Sequence, residues 1–398
     1  MYMEREKMSD FVKEAYELEE QLVSWRRDLH QIPEVGTYLP KTVAYIKERL
    51  EEMEISYTVY EDISCVFGII GQGEPCFLLR ADMDALKVVE EADVEFKSTN
   101  GCMHGCGHDM HATMLLGAAK ILKKHEDELK GTVKLLFQSG EENFQGAKAA
   151  VEAGILEKPE VDAAFAAHVI GSLPTGVILT GKEAMSAVYG FKITIKGKGG
   201  HGSMPEQTVD PINAGVQVYL ALQALIAREK GGTEEAVLTV GQFSAGDVAN
   251  VIPERAVLQG TLRTFNRDVR KRIIERINEM VPAVAAAYRC DTEIEVINDC
   301  PSVITDDAVT AHVDRVIKSS LPDMKVIGGA AHGMGSEDFA QITECVPSAY
   351  YMMGAGVADE SKWVGQHNPK VMFNEDVLPA GAAIYAQVAA QWLEDNQN

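Results

Sequence analysis

Four short apolar runs, separated by helical stretches, set the tightest limit on how this chain folds. VFGII (66–70), PCFLLRADM (75–83), TVKLLFQ (132–138) and DAAFAAHV (162–169) each read as a buried strand. Between the second and third runs the spacing predicts a helix from about Asp109 to Leu129. Met114, Leu115, Ala118, Ile121 and Leu122 recur there at helical intervals, and Gly131 supplies a stop. A shorter helix, from about Asn143 to Glu152, separates the third and fourth runs. Strands alternating with helices imply an α/β fold, with a mostly parallel sheet covered by helices.

The pattern changes near residue 184. VYGFKITIKGK (188–198) alternates in period two, as a half-buried strand does. A helix follows over about Pro211–Arg228, with proline in its first turn. Two strands (236–244 and 255–265), a helix (267–288) and a strand (292–298) complete the block. The order strand–helix–strand–strand–helix–strand is that of a ferredoxin-like α+β unit. We therefore divide the chain into 1–183, an insertion at 184–299, and 300–398. The last part carries a strand (348–354) and a final helix from about Val377 that complete the first sheet. Two domains also suit 398 residues, more than one ordinary core supports.

A net charge of −23 leaves no basic footprint for nucleic acid, so that partner is excluded. No apolar run is long enough to cross a bilayer, and no membrane is expected as a partner. The opening MYMEREKMSDFVKEAYELEEQL is charged and helix-like. It lacks the basic-then-apolar order of a signal peptide, so a cytoplasmic location is the expectation. Cys65, Cys76, Cys102, Cys106, Cys290, Cys300 and Cys345 read as free thiols of a reducing compartment, most of them buried.

Polar clusters follow the predicted strands: DMD (82–84), GEEN (140–143) and His168. Sites in open α/β sheets form at the carboxyl ends of strands, so these residues are expected on one edge with the loop MHGCGHDMH (103–111). Thiolate, imidazole and carboxylate together suit borderline divalent metals such as zinc, manganese, cobalt or nickel. A helix start at this loop is expected to favour the thiolate of Cys106. In Glu141–Glu142, one carboxylate can bind metal while the other handles a water proton. Taken singly, each feature has a plainer reading. A histidine at a helix start is usually a cap or a surface group, paired glutamates are usually a solvated face, and a lone cysteine is usually a buried thiol. GKGGHG (197–202) lacks the Lys–Ser/Thr ending of a phosphate loop.

Together the clusters form an order that resembles a known family. MHGCGHDMH, FQSGEENFQGA, AAHV, GKGGHGSMPE, NVIPERAVLQGTLRTF and GSEDFA follow one another. The same order occurs in N-acyl-amino-acid amidohydrolases of the hippurate hydrolase and auxin-conjugate hydrolase type. These belong to a di-metal peptidase clan that also holds aminoacylases, carboxypeptidases and dipeptidases. The resemblance runs from SWRRDLHQIPEVG (24–36) to HNPKVMFNED (367–376). It implies a di-metal exopeptidase-like fold with an inserted lid and dimerisation domain, and two divalent metal ions per chain. It assigns Cys106, His108, Glu142, His168 and His367 as metal ligands and Glu141 as general base. It places His201 at the oxyanion, in its own or the partner subunit, and Asn250 and Arg263 at the substrate, with Arg263 forking onto its carboxylate. Asp84 is expected to orient a ligand histidine or to cap its strand end. His104 and His111 are read as structural neighbours and Asp109 as a helix cap. The chain departs from many relatives after RADMDAL, where Lys87 stands in place of proline. Asp82 stands where the wider clan often has histidine.

The resemblance thus implies a metal-dependent enzyme that cleaves N-acyl amino acids into a carboxylic acid and a free amino acid. A dipeptidase or carboxypeptidase on the same scaffold is the alternative. The further alternative, a thiol redox or metal-storage protein, has no use for Glu141, His168 or His367. Its Cys102–Cys106 spacing is also not that of a redox pair. The expected partners are a small N-acyl or dipeptide-like substrate and a second copy of the chain, joined through 184–299.

Overall fold

A computed structural model describes residues 2–397. The chain forms two compact units. The first is Met1–Ala184 with Val303–His332 and Asp338–Asn398; the second is Met185–Ser302 with Gly333–Glu337.

The first unit is built on an eight-stranded sheet. Its order is Ser56–Tyr60, Cys65–Gly71, Thr132–Gln138, Cys76–Asp82, Ala163–Ile170, Ser348–Gly354, Val177–Thr180 and Lys325–Ile327. Four neighbouring pairs are parallel, including the three that join Thr132–Gln138 through Ser348–Gly354. Three pairs are antiparallel, which the alternation of strands and helices does not reveal. The reason is connection length. Only Glu61–Ser64 separates Ser56–Tyr60 from Cys65–Gly71, and a parallel crossover needs a dozen or more residues. The central strands Cys76–Asp82 and Thr132–Gln138 are buried at every position, as a sheet covered on both faces requires.

Two helices, His108–Lys124 and Leu378–Asp395, contribute heavily to the core. They approach so closely that a Cβ on Gly381 would lie 1.9 Å from Met114 Sδ, and one on Gly117 would lie 2.8 Å from Ala382 Cβ. The first of these helices ends at Lys124, followed by a single tight turn at Glu126–Glu128. It does not reach Leu129, and Gly131 instead enters the next strand.

The second unit has a four-stranded antiparallel sheet, ordered Ala236–Ala245, Arg255–Thr264, Ala187–Lys196 and Asp291–Cys300. The helices Pro211–Glu229 and Arg267–Ala287 pack on it around Phe191, Ile193, Leu222, Leu258 and Ile277. Both helices start on side-chain caps. Asp210 accepts from the amides of Ile212 and Asn213, and Asn266 from those of Asp268 and Val269. Among the described residues no helix is long and apolar enough to cross a membrane.

Candidate metal centre

In the first unit the strand Cys76–Asp82 runs straight into Asp84, which organises the centre without facing solvent. Its carboxylate accepts the amides of Glu141 (3.1 Å) and Glu142 (3.2 Å), fixing the turn that carries both glutamates. Its main-chain carbonyl accepts from His108 Nδ1 at 2.9 Å, and one carboxylate oxygen lies 3.4 Å from the same nitrogen. Burial leaves the Asp84 carboxyl above the ordinary carboxylate value, even with His108 alongside.

The histidines are held so that Nε2 of each faces the centre. His108 Nδ1 and His168 Nδ1 each donate to a main-chain carbonyl, of Asp84 and of Val169 (2.7 Å) respectively. In the neutral ring that leaves the Nε2 lone pair facing inward. Burial, with His111 alongside, keeps His168 well below the usual imidazole value. His168 Nε2 lies 3.3 Å from Cys106 Sγ. His108 Nε2 is buried without any hydrogen bond and lies 3.9 Å from both Glu141 Oε2 and Glu142 Oε1. Glu142 Oε1 in turn lies 3.3 Å from His367 Nε2. Burial would raise the Glu142 carboxyl, but His367 and His108 hold it below its usual value. The bond to Glu142 raises His367 in return.

His367 sits in the left-handed region, at φ 66°, with its amide bonded to Gly105 O at 2.9 Å. A non-glycine residue there is strained, and the loop holds it beside Glu142. Donor atoms of Cys106, His108 and His168 lie within 4.8 Å of one another. So do those of Cys106, Glu142 and His367, and those of His108, Glu141 and Glu142. The first two groups share the Cys106 sulfur. Sulfur, imidazole and carboxylate donors gathered this closely suit zinc-like ions. The residues present therefore fit a metal.

The thiolate expected at Cys106 does not follow from the fold alone. Burial pushes this thiol up to about 12, outweighing the helix start and His108. Asp109 is not a helix cap. The cap position is Gly107, at φ 93° with no side-chain bond, and Asp109 lies inside the first turn. Its carboxylate pairs with Arg26 Nε (2.9 Å) and His30 Nδ1 (2.6 Å) instead. His104 is fully buried, and burial lowers it to about 3.

Behind the centre lies a polar network in which the motifs gave no role to Arg80, Gln138 or Asp338. Arg80 donates to Asp82 (2.8 Å), Asp338 (2.9 Å) and Gln138 (2.9 Å), and Gln138 Nε2 donates to Asp338. His111 Nδ1 donates to Asp82 at 2.5 Å, while His111 Nε2 accepts the amide of Val169 at 2.8 Å, next to His168. Burial alone would raise the Asp82 carboxyl; Arg80, His108 and His111 hold it well below the usual range. One signal was legible: an arginine inside an otherwise apolar strand, with an aspartate two residues on, shares a face with it.

In the second unit the short strand Gly200–His201 pairs with Val251–Ile252, and the Gly202 amide donates to Asn250 O at 2.8 Å, so His201 and Asn250 are neighbours. His201 Nδ1 accepts the Ser203 amide at 3.1 Å, which leaves the neutral ring's proton on Nε2. Arg263 Nη1 is buried with no hydrogen-bond partner, and burial lowers this guanidinium from its ordinary value.

Residues 78–391 match the family described as peptidase family M20/M25/M40. The chain belongs to this family. It is 38% identical to the IAA-amino acid hydrolase ILR1-like 2 of Arabidopsis thaliana over 98% of its length and 89% of the relative's. It is 35% identical to the N-acetyl-L-cysteine deacetylase of Bacillus subtilis over 96% of its length and 90% of the relative's. Among solved structures it resembles the YxeP protein of Bacillus subtilis, a dinuclear metal-binding peptidase of family M20. That likeness has a TM-score of 0.80 and 31% identity, covering 95% of this chain and 99% of the other. As a family M20 member the chain is a hydrolase of amide bonds, on a mostly parallel sheet of the di-metal exopeptidase type.

Proposed function

We propose that the chain is a metal-dependent amidohydrolase that cleaves N-acyl amino acids to a carboxylic acid and a free amino acid. The observation that carries this reading is Glu141, buried beside converging sulfur, imidazole and carboxylate donors, two groups of which share the Cys106 sulfur. Cys106, His108 and His168 would hold one divalent ion, and Cys106, Glu142 and His367 a second, with zinc, manganese, cobalt and nickel as candidates. Such ions, when bound, lower the pKa of a water and polarise a carbonyl. Glu141 takes the proton of the attacking water and returns it to the leaving nitrogen. His201 presents an N–H from Nε2, the donor that a developing oxyanion needs. Arg263, with a buried guanidinium nitrogen lacking any partner, suits the substrate carboxylate, with Asn250 as a further polar contact. Asp84 positions His108 through its carbonyl and Glu141 through its carboxylate.

Two further assignments belong to this reading. The first is a homodimer through the second unit, whose described helix Pro211–Glu229 exposes Ile212, Val216, Tyr219 and Leu220 along one stripe. The edge strand Ala236–Ala245 exposes Val237 and Phe243 as well. Light scattering showing only monomer contradicts the dimer. The second is a cytoplasmic location, which seven cysteines with no disulfide among them suit.

The test is a panel of N-acetyl amino acids, N-benzoyl amino acids, blocked peptides and free dipeptides, run on the metal-reconstituted chain. The proposal expects turnover of the N-acyl compounds. Strong preference for free dipeptides, or for C-terminal cleavage of longer peptides, overturns it in favour of the alternative.

A further inference from the structure

His30 lies outside the centre and is 2% exposed, yet both its ring nitrogens face carboxylates. Nδ1 is 2.6 Å from Asp109 Oδ2, and Nε2 is 2.9 Å from Glu90 Oε1. A neutral imidazole has one donor and one lone pair, so it satisfies only one such contact. A lone pair on Nδ1 could accept from Arg26 Nη2 at 3.3 Å, but it would then point at the Asp109 oxygen 2.6 Å away. Arg26 Nε, 2.9 Å from that same oxygen, keeps Asp109 ionised. The geometry therefore calls for an imidazolium.

The surrounding charges balance it. On its own helix stand Arg26 and Arg27; facing it are Asp109 from the helix His108–Lys124 and Glu90 from the loop Leu86–Met103. Glu375 accepts from both arginines, His104 lies 6.2 Å away ring to ring, and Phe96 covers Arg26 and Arg27. Three cations thus meet three carboxylates only while His30 is charged. Burial and Arg26 oppose that charge, but Asp109 and Glu90 outweigh them and raise His30 above its ordinary value.

What His30 joins makes the charge consequential. Asp109 follows His108 in the chain. Glu90 pins the loop through His30 and through the Ser98 amide at 2.7 Å. Leu86 and Met103 exchange main-chain bonds of 2.9 Å at the root of this loop, three residues before Cys106. At the loop's far side the Glu91 amide donates to Pro369 O at 2.7 Å, two residues beyond His367. We infer that His30 is a positioning residue, a buried imidazolium clamp that holds the Cys106–His108 and His367 segments in register. The inference rests on the metal-centre reading above.

The test uses the full chain, with zinc alone as the ligand, and thermal unfolding of the metal-free chain from roughly pH 6 to roughly pH 10. His30 is raised in the fold, so its contribution is full below the unfolded value and disappears as pH rises through the folded one. Wild type is expected to lose unfolding temperature over that alkaline interval, and His30→Gln to lose measurably less, the remainder coming from His108 and His367, which are also raised. His30→Gln is also expected to weaken zinc binding about 10–100-fold, as loss of an outer partner of a ligand does. In Glu90→Gln a neutral His30 donates to Asp109 and accepts from the new amide. That variant is expected to bind zinc like wild type while the alkaline loss shrinks to that of His30→Gln. Superimposable pH curves for the three proteins, or unchanged zinc affinity in His30→Gln, overturn the clamp. If His30→Gln does not fold, Glu90→Gln decides alone, and an alkaline loss as large as that of wild type refutes the inference. Neither readout uses a substrate, so failure here leaves amide hydrolysis standing. A wild-type chain that binds no zinc refutes the metal reading, while the pH curves still judge the clamp.

Discussion

His111 offers the sharpest test of how the centre is held, because it binds two groups that are buried from solvent. Replacing it by leucine removes the donor to Asp82 Oδ1 and the acceptor of the Val169 amide. Both His111 and Asp82 are 1% exposed or less, and Val169 is fully buried. An orphaned buried amide costs about 1–3 kcal/mol, and loss of a hydrogen bond to a charged group about 1.5–3 kcal/mol. Arg80 still pairs Asp82, so no unpaired charge is added. Leucine recovers part of the loss through apolar contact. The net is about 2–4 kcal/mol, a large share of the roughly 5–15 kcal/mol that stabilises a typical fold. At about 2–4 °C per kcal/mol, the transition is expected to fall by roughly 4–16 °C. Calorimetry on the metal-free chain near pH 7 measures it. His111→Gln keeps one acceptor and one donor and is expected to lose less. A leucine variant within about 1 kcal/mol of wild type refutes the reasoning, because surface-like tolerance is then the rule at this position.

Three other outcomes follow from the same geometry. Gly107→Ala places a Cβ 2.5 Å from Val169 Cγ2 at a φ of 93°, between Cys106 and His108. It is expected to cost about 2–4 kcal/mol from left-handed strain and overpacking and to weaken zinc binding in a chelator competition. Asp82, Asp109 and Glu90 are all held below their ordinary values, so their contribution is complete above about pH 4 and fades as pH falls through the lowered ones. Unfolding temperature is expected to drop on that acid side, and Asp109→Asn to flatten the drop; identical acid curves contradict it. Glu141→Gln is expected to keep its metal while hydrolysis falls about 10²–10⁴-fold, and unchanged turnover removes Glu141 from the base role.

Local pattern carried much of the architecture. The strand at 188–198 was legible from its period-two alternation, although it is not half-buried: Ala187–Lys196 is buried at eight of its ten positions. The helix from Pro211 was legible because proline stands in its first turn. The antiparallel margin of the large sheet was harder. Ser56–Tyr60 is a short edge strand without a fully buried residue, and nothing in five half-exposed residues announces it. At the centre, the motif residues come together because each follows a strand or opens a helix. Their supports are another matter. Asp109 and Arg26 are 83 positions apart, and Arg80 and Asp338 are 258 apart. No periodicity links such pairs; only the fold does. The thiol of Cys106 teaches the same point, since its neighbourhood in sequence suggests a thiolate and its burial opposes one.

The central claim is that the Cys106 sulfur belongs to both donor groups. Metal analysis of the zinc-reconstituted chain beside Cys106→Ala tests it most directly. The account predicts about two zinc ions per wild-type chain and fewer than two in the variant, with circular dichroism showing the variant folded. A folded Cys106→Ala chain that still holds two contradicts it.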